Sequence, residues 1–314
     1  MKILKRLVLV GLLLFVLMFA FKPKLVNASP GDIWVPYNYS TIQAAINAAN
    51  PGDVIHVASG TYDSIVVNKT VSIIAEGEAI IDGKLAVNPV VNITANNVVI
   101  KNFKIQGPSL YGTSIRIDNA AFCHVENNSI IGRMYGVFLW QTSNSRIAYN
   151  TIINVTEGVD SDWLQFPAKG ILLGNSSNNF VVANNIYNSW RCISLESSNF
   201  NLVSDNNVTT SYSTSRTYCG IEILESSNNT IRNNWVTNCS GNAWAIYLSD
   251  ASYNLIYHNN FINNAHQAAI SGTDSNKWYA DWPTGGNFWS NHVSPDNLGG
   301  AYQNEQGSDG ICDN

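Results

Sequence analysis

A phrase of the form Ser-Ser-Asn-Asn, followed by an apolar pair and a further Asn, recurs at residues 176–186, 197–208, 226–236 and, loosened, 252–261. Self-similarity at a period of twenty-odd residues marks a solenoid, because one such unit cannot bury its own apolar face and must stack on the next. The repeat therefore constrains the architecture before any single residue does.

Its core is apolar-x-x-Asn-x-apolar, found as Val125-Asn128-Ile130, Ile147-Asn150-Ile152, Val181-Asn184-Ile186, Val203-Asn206-Val208, Ile231-Asn234-Val236 and Ile256-Asn259-Phe261. An earlier turn, Ile100-Phe103-Ile105, carries Phe where the others have Asn. Between these anchors a second apolar pair repeats: Ile115 and Ile117, Val137 and Leu139, Ile171 and Leu173, Ile193 and Leu195, Ile221 and Ile223, Ile246 and Leu248. Apolar residues at i and i+2 turn one face inward at the strand period. Two short strands in a unit of 22 residues leave no room for a helical crossover. Each unit is expected to be a coil of parallel strands stacked ~4.8 Å from the next. Parallel crossovers are right-handed in ~98% of cases, so the expected fold is all-β, a single-stranded right-handed parallel β-helix. The repeated Asn is expected to form an internal ladder, its amide satisfying turn backbone and the Asn above and below.

The open ends of such a stack need covering. Ser40-Thr41-Ile42-Gln43 reads as a capping box opening a helix over 41–49, stopped by Asn50-Pro51-Gly52 and expected to close the N-terminal end. After Ile270 the repeat dissolves into an aromatic segment, and an irregular cap is expected over 274–314. Residues 1–6 hold three basic side chains and 7–21 are apolar, the layout of a secretory leader shorter than the ~20 residues of a bilayer span. Cleavage is expected after Ala28. An uncleaved N-terminal anchor is the alternative, and would be the chain's expected link to a membrane. Residues 29–314 contain no Pro-rich or charge-rich linker and read as one domain.

Charged residues are 12% of the chain and no Lys/Arg cluster lies beyond the leader, which excludes nucleic acid as the expected partner. A monomer, secreted, periplasmic or held at the cell surface, is expected. Asn-X-Ser/Thr sequons begin at Asn38, Asn68, Asn92, Asn127, Asn154, Asn175, Asn207, Asn228 and Asn238, as suits an exported glycoprotein. Of five cysteines, Cys192 and Cys219 lie at equivalent points of successive repeats and form the expected disulfide.

The entry Thr41-Ile42-Gln43-Ala44-Ala45-Ile46, with Gly52-Asp53-Val54-Ile55-His56-Val57 and Gly60-Thr61-Tyr62, resembles the start of the pectin-lyase-like β-helix superfamily. The repeats and the closing Gly286-Asn287-Phe288-Trp289-Ser290 resemble its NosD-like branch of carbohydrate-binding and sugar-hydrolase β-helices. The likeness covers nearly all of 29–314. It implies the fold more strongly than a function, because members include lyases, hydrolases, epimerases, binding proteins and a periplasmic copper-maturation factor. The polygalacturonase motifs Asn-Thr-Asp, Gly-His-Gly and Arg-Ile-Lys and the Asp-Pro-His of alginate epimerases are absent. For copper, Met134 alone of the three methionines survives leader removal, and the histidines form no close pair. The Asp/Gly-rich tail resembles a calcium loop of related chains, with Asp296, Asp309 and Asp313 as its ligands, split here into two halves.

Spacing points to a site. Successive repeat asparagines from 128 to 259 are separated by 22, 34, 22, 28 and 25 residues. The two long intervals hold insertions at 156–169 and 210–218, which leave the same corner two turns apart and are expected to wall a groove. Outward positions of the second strand supply its floor, among them Arg116, Asp118, Trp140, Glu196, Glu222 and Tyr247. Trp140, Trp163 and Tyr247 are expected to stack on sugar rings, with Arg116 and Asp118 bonding hydroxyls. Glu196 and Glu222 lie diagonally on adjacent turns, ~7 to 8 Å apart, within the ~6.5 to 9.5 Å of an inverting acid/base pair; Asp160 and Asp162 are the alternative pair. The leading expectation is a protein that binds a polysaccharide along this face and, if an enzyme, acts as a hydrolase or lyase. A non-catalytic envelope scaffold or adhesin is the alternative, and a metal-delivery factor the third reading.

Overall fold

The computed structural model describes residues 31–306 apart from 87–88, 109–111, 133, 156–158, 162–163, 167, 211–218, 273–274, 282, 293–297 and 300–304. The leader, Cys312, Asp296, Asp309 and Asp313 lie outside the described residues.

The chain is a right-handed parallel β-solenoid. Each coil holds three strands where the sequence pattern had suggested two. The stretch read as one strand around Asn150 is two, Arg146–Ala148 and Thr151–Ile153, divided at Tyr149. Tyr149 has φ 58°, and the residues before the other repeat asparagines follow it: Ala183 at 54°, Asp205 at 60°, Asn233 at 56° and His258 at 54°. A left-handed residue reverses the local curvature, so apolar-x-x-Asn-x-apolar turns a corner with an inward residue on each side. Three parallel sheets result, of ten, nine and ten strands. The first holds Arg146–Ala148 and its equivalents, and the third holds Thr151–Ile153 and its own. The nine-stranded second sheet includes Thr113–Asp118, Tyr135–Trp140, Lys169–Gly174, Arg191–Glu196, Cys219–Leu224, Trp244–Ser249 and His266–Ser271.

Register aligns like with like. Ile115, Val137, Ile171, Ile193, Ile221 and Ile246 sit in one row, all fully buried. Burying each such side chain contributes about 1.5–3 kcal/mol before entropic losses.

The buried asparagines form hydrogen-bonded columns. Asn184 Oδ1 accepts from both the backbone N–H and Nδ2 of Asn150 at 3.0 Å, and Asn184 Nδ2 donates to Ile147 O at 2.8 Å and Asn206 Oδ1 at 3.0 Å. The same contacts link Asn128 through Asn150, Asn184, Asn206, Asn234 and Asn259 to Asn287. A second column, not singled out by the sequence pattern, runs Asn179, Asn201, Asn229, Asn254, Asn276 at the corner between the second and first sheets. Beside it Ser176, Ser198 and Ser226 each accept a backbone N–H from the preceding coil, at 2.9–3.0 Å. In the copy at 176–179, the first Ser and last Asn of the recurrent phrase point inward while Asn178 takes the left-handed turn.

The helix spans Ile42–Ala48, and its N-cap is Thr41, whose hydroxyl accepts from Ala44 N–H; Ser40 is not the cap. Gln43 does not reach back to close a capping box. Its amide instead pairs with the backbone of Val66, accepting the N–H at 2.8 Å and donating to the carbonyl at 3.2 Å. Val66 belongs to the last strand of the nine-stranded sheet, so this side chain satisfies an open edge. Lys69 Nζ binds the carbonyls of Asn47 and Ala49 at 2.6 and 2.8 Å, capping the helix C-terminus. At the other end Trp289 stacks on Phe261 at 4.4 Å, with Trp278 5.9 Å away.

The expected Cys192–Cys219 disulfide is not formed; both thiols are free and buried. Arg191 pairs with Cys219 and Ile193 with Ile221, so the two cysteines are one rung out of register. A bridge needs closely opposed Cβ atoms.

Near the N-terminal end His56 stacks on Trp34 at 4.5 Å and contacts Glu76 at 2.6 Å and Asp32 at 3.3 Å. Burial would lower its pKa, but the hydrogen bonds to and charges of Glu76 and Asp32 outweigh burial and raise it above 6.5. A raised histidine pKa stabilises the fold fully below the unfolded value, and that contribution fades as pH rises through the folded one. The melting-temperature gap between the parent and His56→Gln is therefore expected to shrink from about pH 5.5 to about pH 8; a gap widening over that range would contradict the assignment.

Candidate functional site

Outward positions of the second sheet form registered columns. One runs Asn92, Arg116, Phe138, Leu172, Ser194, Glu222, Tyr247. The next runs Asp118, Trp140, Gly174, Glu196, Leu224. At the head of the strands Tyr135, Lys169, Arg191, Cys219 and Trp244 align.

At one end is an aromatic step. Phe138 packs on Tyr135 at 5.2 Å and edge-on to Trp140 at 6.1 Å, and the Arg116 guanidinium lies over the Phe138 ring at 5.2 Å. Arg116 also pairs with Asp118 at 3.3 Å, both about a third exposed. The Trp140 indole packs against Gly174 on the next coil, where an added Cβ would come within 2.8 Å of it. That glycine leaves the room the indole occupies. At the other end the same strand holds the half-buried Tyr247 and, at its head, Trp244, which packs against His266 at 4.5 Å.

Between the aromatic ends lies an ionic cluster. Glu222, 1% exposed, receives Arg191 Nη1 on both oxygens at 2.6 and 2.8 Å and the Ser194 hydroxyl at 2.7 Å. Glu196 pairs with Lys169, itself 4% exposed, and lies 3.4 Å from the same hydroxyl. Burial and the Glu196 charge push the Tyr135 phenol up to about 12, so it stays a neutral donor. Two cations face two carboxylates, each pair on one diagonal. The side chain of Glu196 is 35% exposed, that of Glu222 only 2%. Of the carboxylate pair read from the sequence, Glu196 faces solvent while Glu222 is committed to Arg191.

Residues on a bare sheet's outer face would be wet, yet Lys169, Leu172, Ser194 and Glu222 are buried. An antiparallel hairpin, Val159–Ser161 with Leu164–Phe166, leaves the coil just before Lys169. The second insertion, 211–218, joins the same two sheets two coils on. Asp160 lies on the hairpin backbone opposite Gln165; Asp162 and Trp163 lie outside the described residues. Tyr135 was missed in the sequence reading; Ser194 was read there as an outward position, and Lys169 and Arg191 as basic side chains that nothing singled out. Register would have found them, since each aligns with or lies diagonal to the two glutamates.

A family of periplasmic copper-binding proteins (NosD) matches residues 159–294. A cell surface glycoprotein of Methanothermus fervidus is 28% identical over 233 residues, 72% of this chain, which spans 38% of that relative's length. The enzymatically active domain of bacteriophage CBA120 tailspike protein 2 superposes with a TM-score of 0.58 at 14% identity, covering 86% of this chain and 47% of that one. Pectate lyase Pel9A gives a TM-score of 0.50 at 12% identity, covering 86% of this chain and 83% of its own. The chain has the parallel β-helix fold of these structures. At such identities, the likeness to the solved structures carries the fold alone.

The relative is a cell surface protein and the matching family is described as periplasmic. Among the described residues no helix is long and apolar enough to cross a membrane. Nor do the described residues gather three His, Cys, Asp or Glu side chains where they could hold a metal. The donor chemistry agrees: burial raises the thiol pKa values of Cys192, Cys219 and Cys239 well above that of a ready thiolate ligand. His56 is occupied by carboxylates and His258 by the Thr284 carbonyl. The described residues do not fit a copper site.

Proposed function

We propose that the protein binds a polysaccharide along the outward face of the second sheet, between the Phe138/Trp140 step and Tyr247. One observation carries the reading: aromatic faces lie at both ends of a flat registered surface, with hydrogen-bonding groups between them. Rings present apolar faces to sugars, while Glu196 between them, and Arg116 and Asp118 on the coil just beyond Phe138 and Trp140, supply partners for hydroxyls. A pectate lyase and an enzymatically active tailspike domain share the fold, which supports a glycan ligand. Each coil adds one rung, so the face extends along a polymer at a constant rise.

The test is retention of the parent, Trp140→Ala and Tyr247→Ala on a panel of immobilised neutral and acidic polysaccharides. Loss of either ring should weaken binding about tenfold or more, equivalent to the ~1 to 3 kcal/mol reported for base–aromatic stacking. No retention of the parent by any polysaccharide, or unchanged retention of both variants, would overturn the proposal in favour of a scaffold or adhesin.

Processing of the bound chain is the second reading, favoured by Glu196 as a solvent-facing carboxylate beside a buried lysine. Asp160 and Asp162 on the neighbouring insertion are the alternative carboxylates. Reducing-end or unsaturated products formed by the parent and lost in Glu196→Gln would support it; binding without products would leave a lectin-like role.

A further inference from the structure

The sequons divide by burial. Of the ten sequon asparagines, Asn27 lies outside the described residues; eight of the other nine are exposed, and Asn92, on the second sheet, is half-buried with its Oδ1 enclosed and without a hydrogen-bond partner. None of the stacked asparagines begins a sequon. The repeat supplies the reason. Two residues after a stacked Asn comes an inward apolar residue such as Ile152 or Val208, where a hydroxyl would be buried. The residue before it turns in the left-handed region, and two residues after that comes an outward strand position. The fold thus confines sequons to solvent-facing corners and strand faces.

We propose that Asn127, Asn175, Asn207, Asn228 and Asn238 carry N-linked oligosaccharides. All five are exposed, and their sequon hydroxyls (Ser129, Ser177, Thr209, Thr230 and Ser240) are at least partly exposed. Four hold left-handed turns, with φ of 55° at Asn127, 48° at Asn175, 58° at Asn228 and 55° at Asn238. The donor is a sugar chain on a lipid phosphate or diphosphate. The Asn amide nitrogen bonds to the anomeric carbon, the anomeric C–O bond breaks, the phosphate leaves with its electron pair, and the amide proton is released. Asn38 and Asn154 are less suited, because each amide oxygen already accepts a 2.7 Å hydrogen bond, from Trp34 N–H and Asn188 Nδ2.

The five positions encircle the coil unevenly. Asn127 is at the corner between the first and third sheets, Asn175 and Asn228 between the second and first, Asn238 between the third and second, and Asn207 on the third sheet. The outward columns of the second sheet contain only Asn92. Modification would coat the corners and leave that face bare.

The experiment is peptide mass spectrometry on the protein purified from the cells that naturally produce it, with Ser129→Ala and Thr230→Val variants made in the same cells. Sugar mass increments are expected on most peptides holding the five asparagines, with Asn92 unmodified. Ser129→Ala should remove the increment at Asn127, and Thr230→Val that at Asn228, because each deletes a sequon and keeps the turn. Unmodified mass at most of the five, modification at Asn92, or increments that survive these substitutions would overturn the proposal. Glycan binding by the second sheet is read separately and stands or falls independently.

Discussion

Asn184→Leu is expected to lower the free energy of unfolding by about 4 kcal/mol, a large effect for one side chain. The substitution removes the acceptor for the Asn150 N–H and one Asn150 amide hydrogen, and the donor to Ile147 O. Each group is fully enclosed, and a buried group left unpaired costs roughly 1–3 kcal/mol. The Leu side chain would also have to fit a space shaped for a planar amide. Denaturant unfolding followed by circular dichroism measures the loss. Asn207→Ala, on an exposed strand position, serves as the control and should stay within about 0.5 kcal/mol of the parent. A loss below about 1 kcal/mol for Asn184→Leu would mean that the columns contribute little beyond geometry.

The second large effect is expected at the ionic cluster. Glu222→Gln leaves the Arg191 guanidinium without its counter-charge beneath the surface of the second sheet, and breaking such a buried pair costs roughly 3–5 kcal/mol. Arg191 is 21% exposed, so the lower end of that range is expected. The double variant Arg191→Met/Glu222→Leu should recover most of the loss, because it leaves no uncompensated charge. Glu196→Gln should be milder, since its carboxylate already meets water. If Glu222→Gln were as stable as the parent, the Arg191 pair would be a passive contact and Glu222 would return as a candidate for chemistry.

The solenoid was legible because its signal is repeated: six copies of apolar-x-x-Asn-x-apolar outvote local ambiguity. The third strand of each coil was hidden because periodicity cannot show a sharp bend between two inward residues. At Tyr149 and His258 no glycine marks the left-handed turn. The serine and second asparagine columns were visible as a phrase but not as contacts, since that needs the pairing of Asn179 with Asn201 across a gap of 22 residues. At the candidate site, Glu196, Glu222, Trp140 and Tyr247 were found by alternation alone. Lys169 and Arg191 were visible only as basic residues that nothing singled out, because they sit at strand heads where the in-out alternation gives way to the corner.

The register between coils is indifferent to the length of chain at one corner. Thr151 pairs with Asn185 across an interval of 34 residues in the same way that Asn185 pairs with Asn207 across 22. Closing a longer loop costs only about 0.6 kcal/mol for each doubling of its length. The passage from the third sheet into the second is therefore a port through which new segments can enter without disturbing the stack. Peptides or small domains grafted at 156–167 or 211–218 should be displayed beside the same face at a spacing of two coils, making the molecule a ruler-like carrier for paired epitopes.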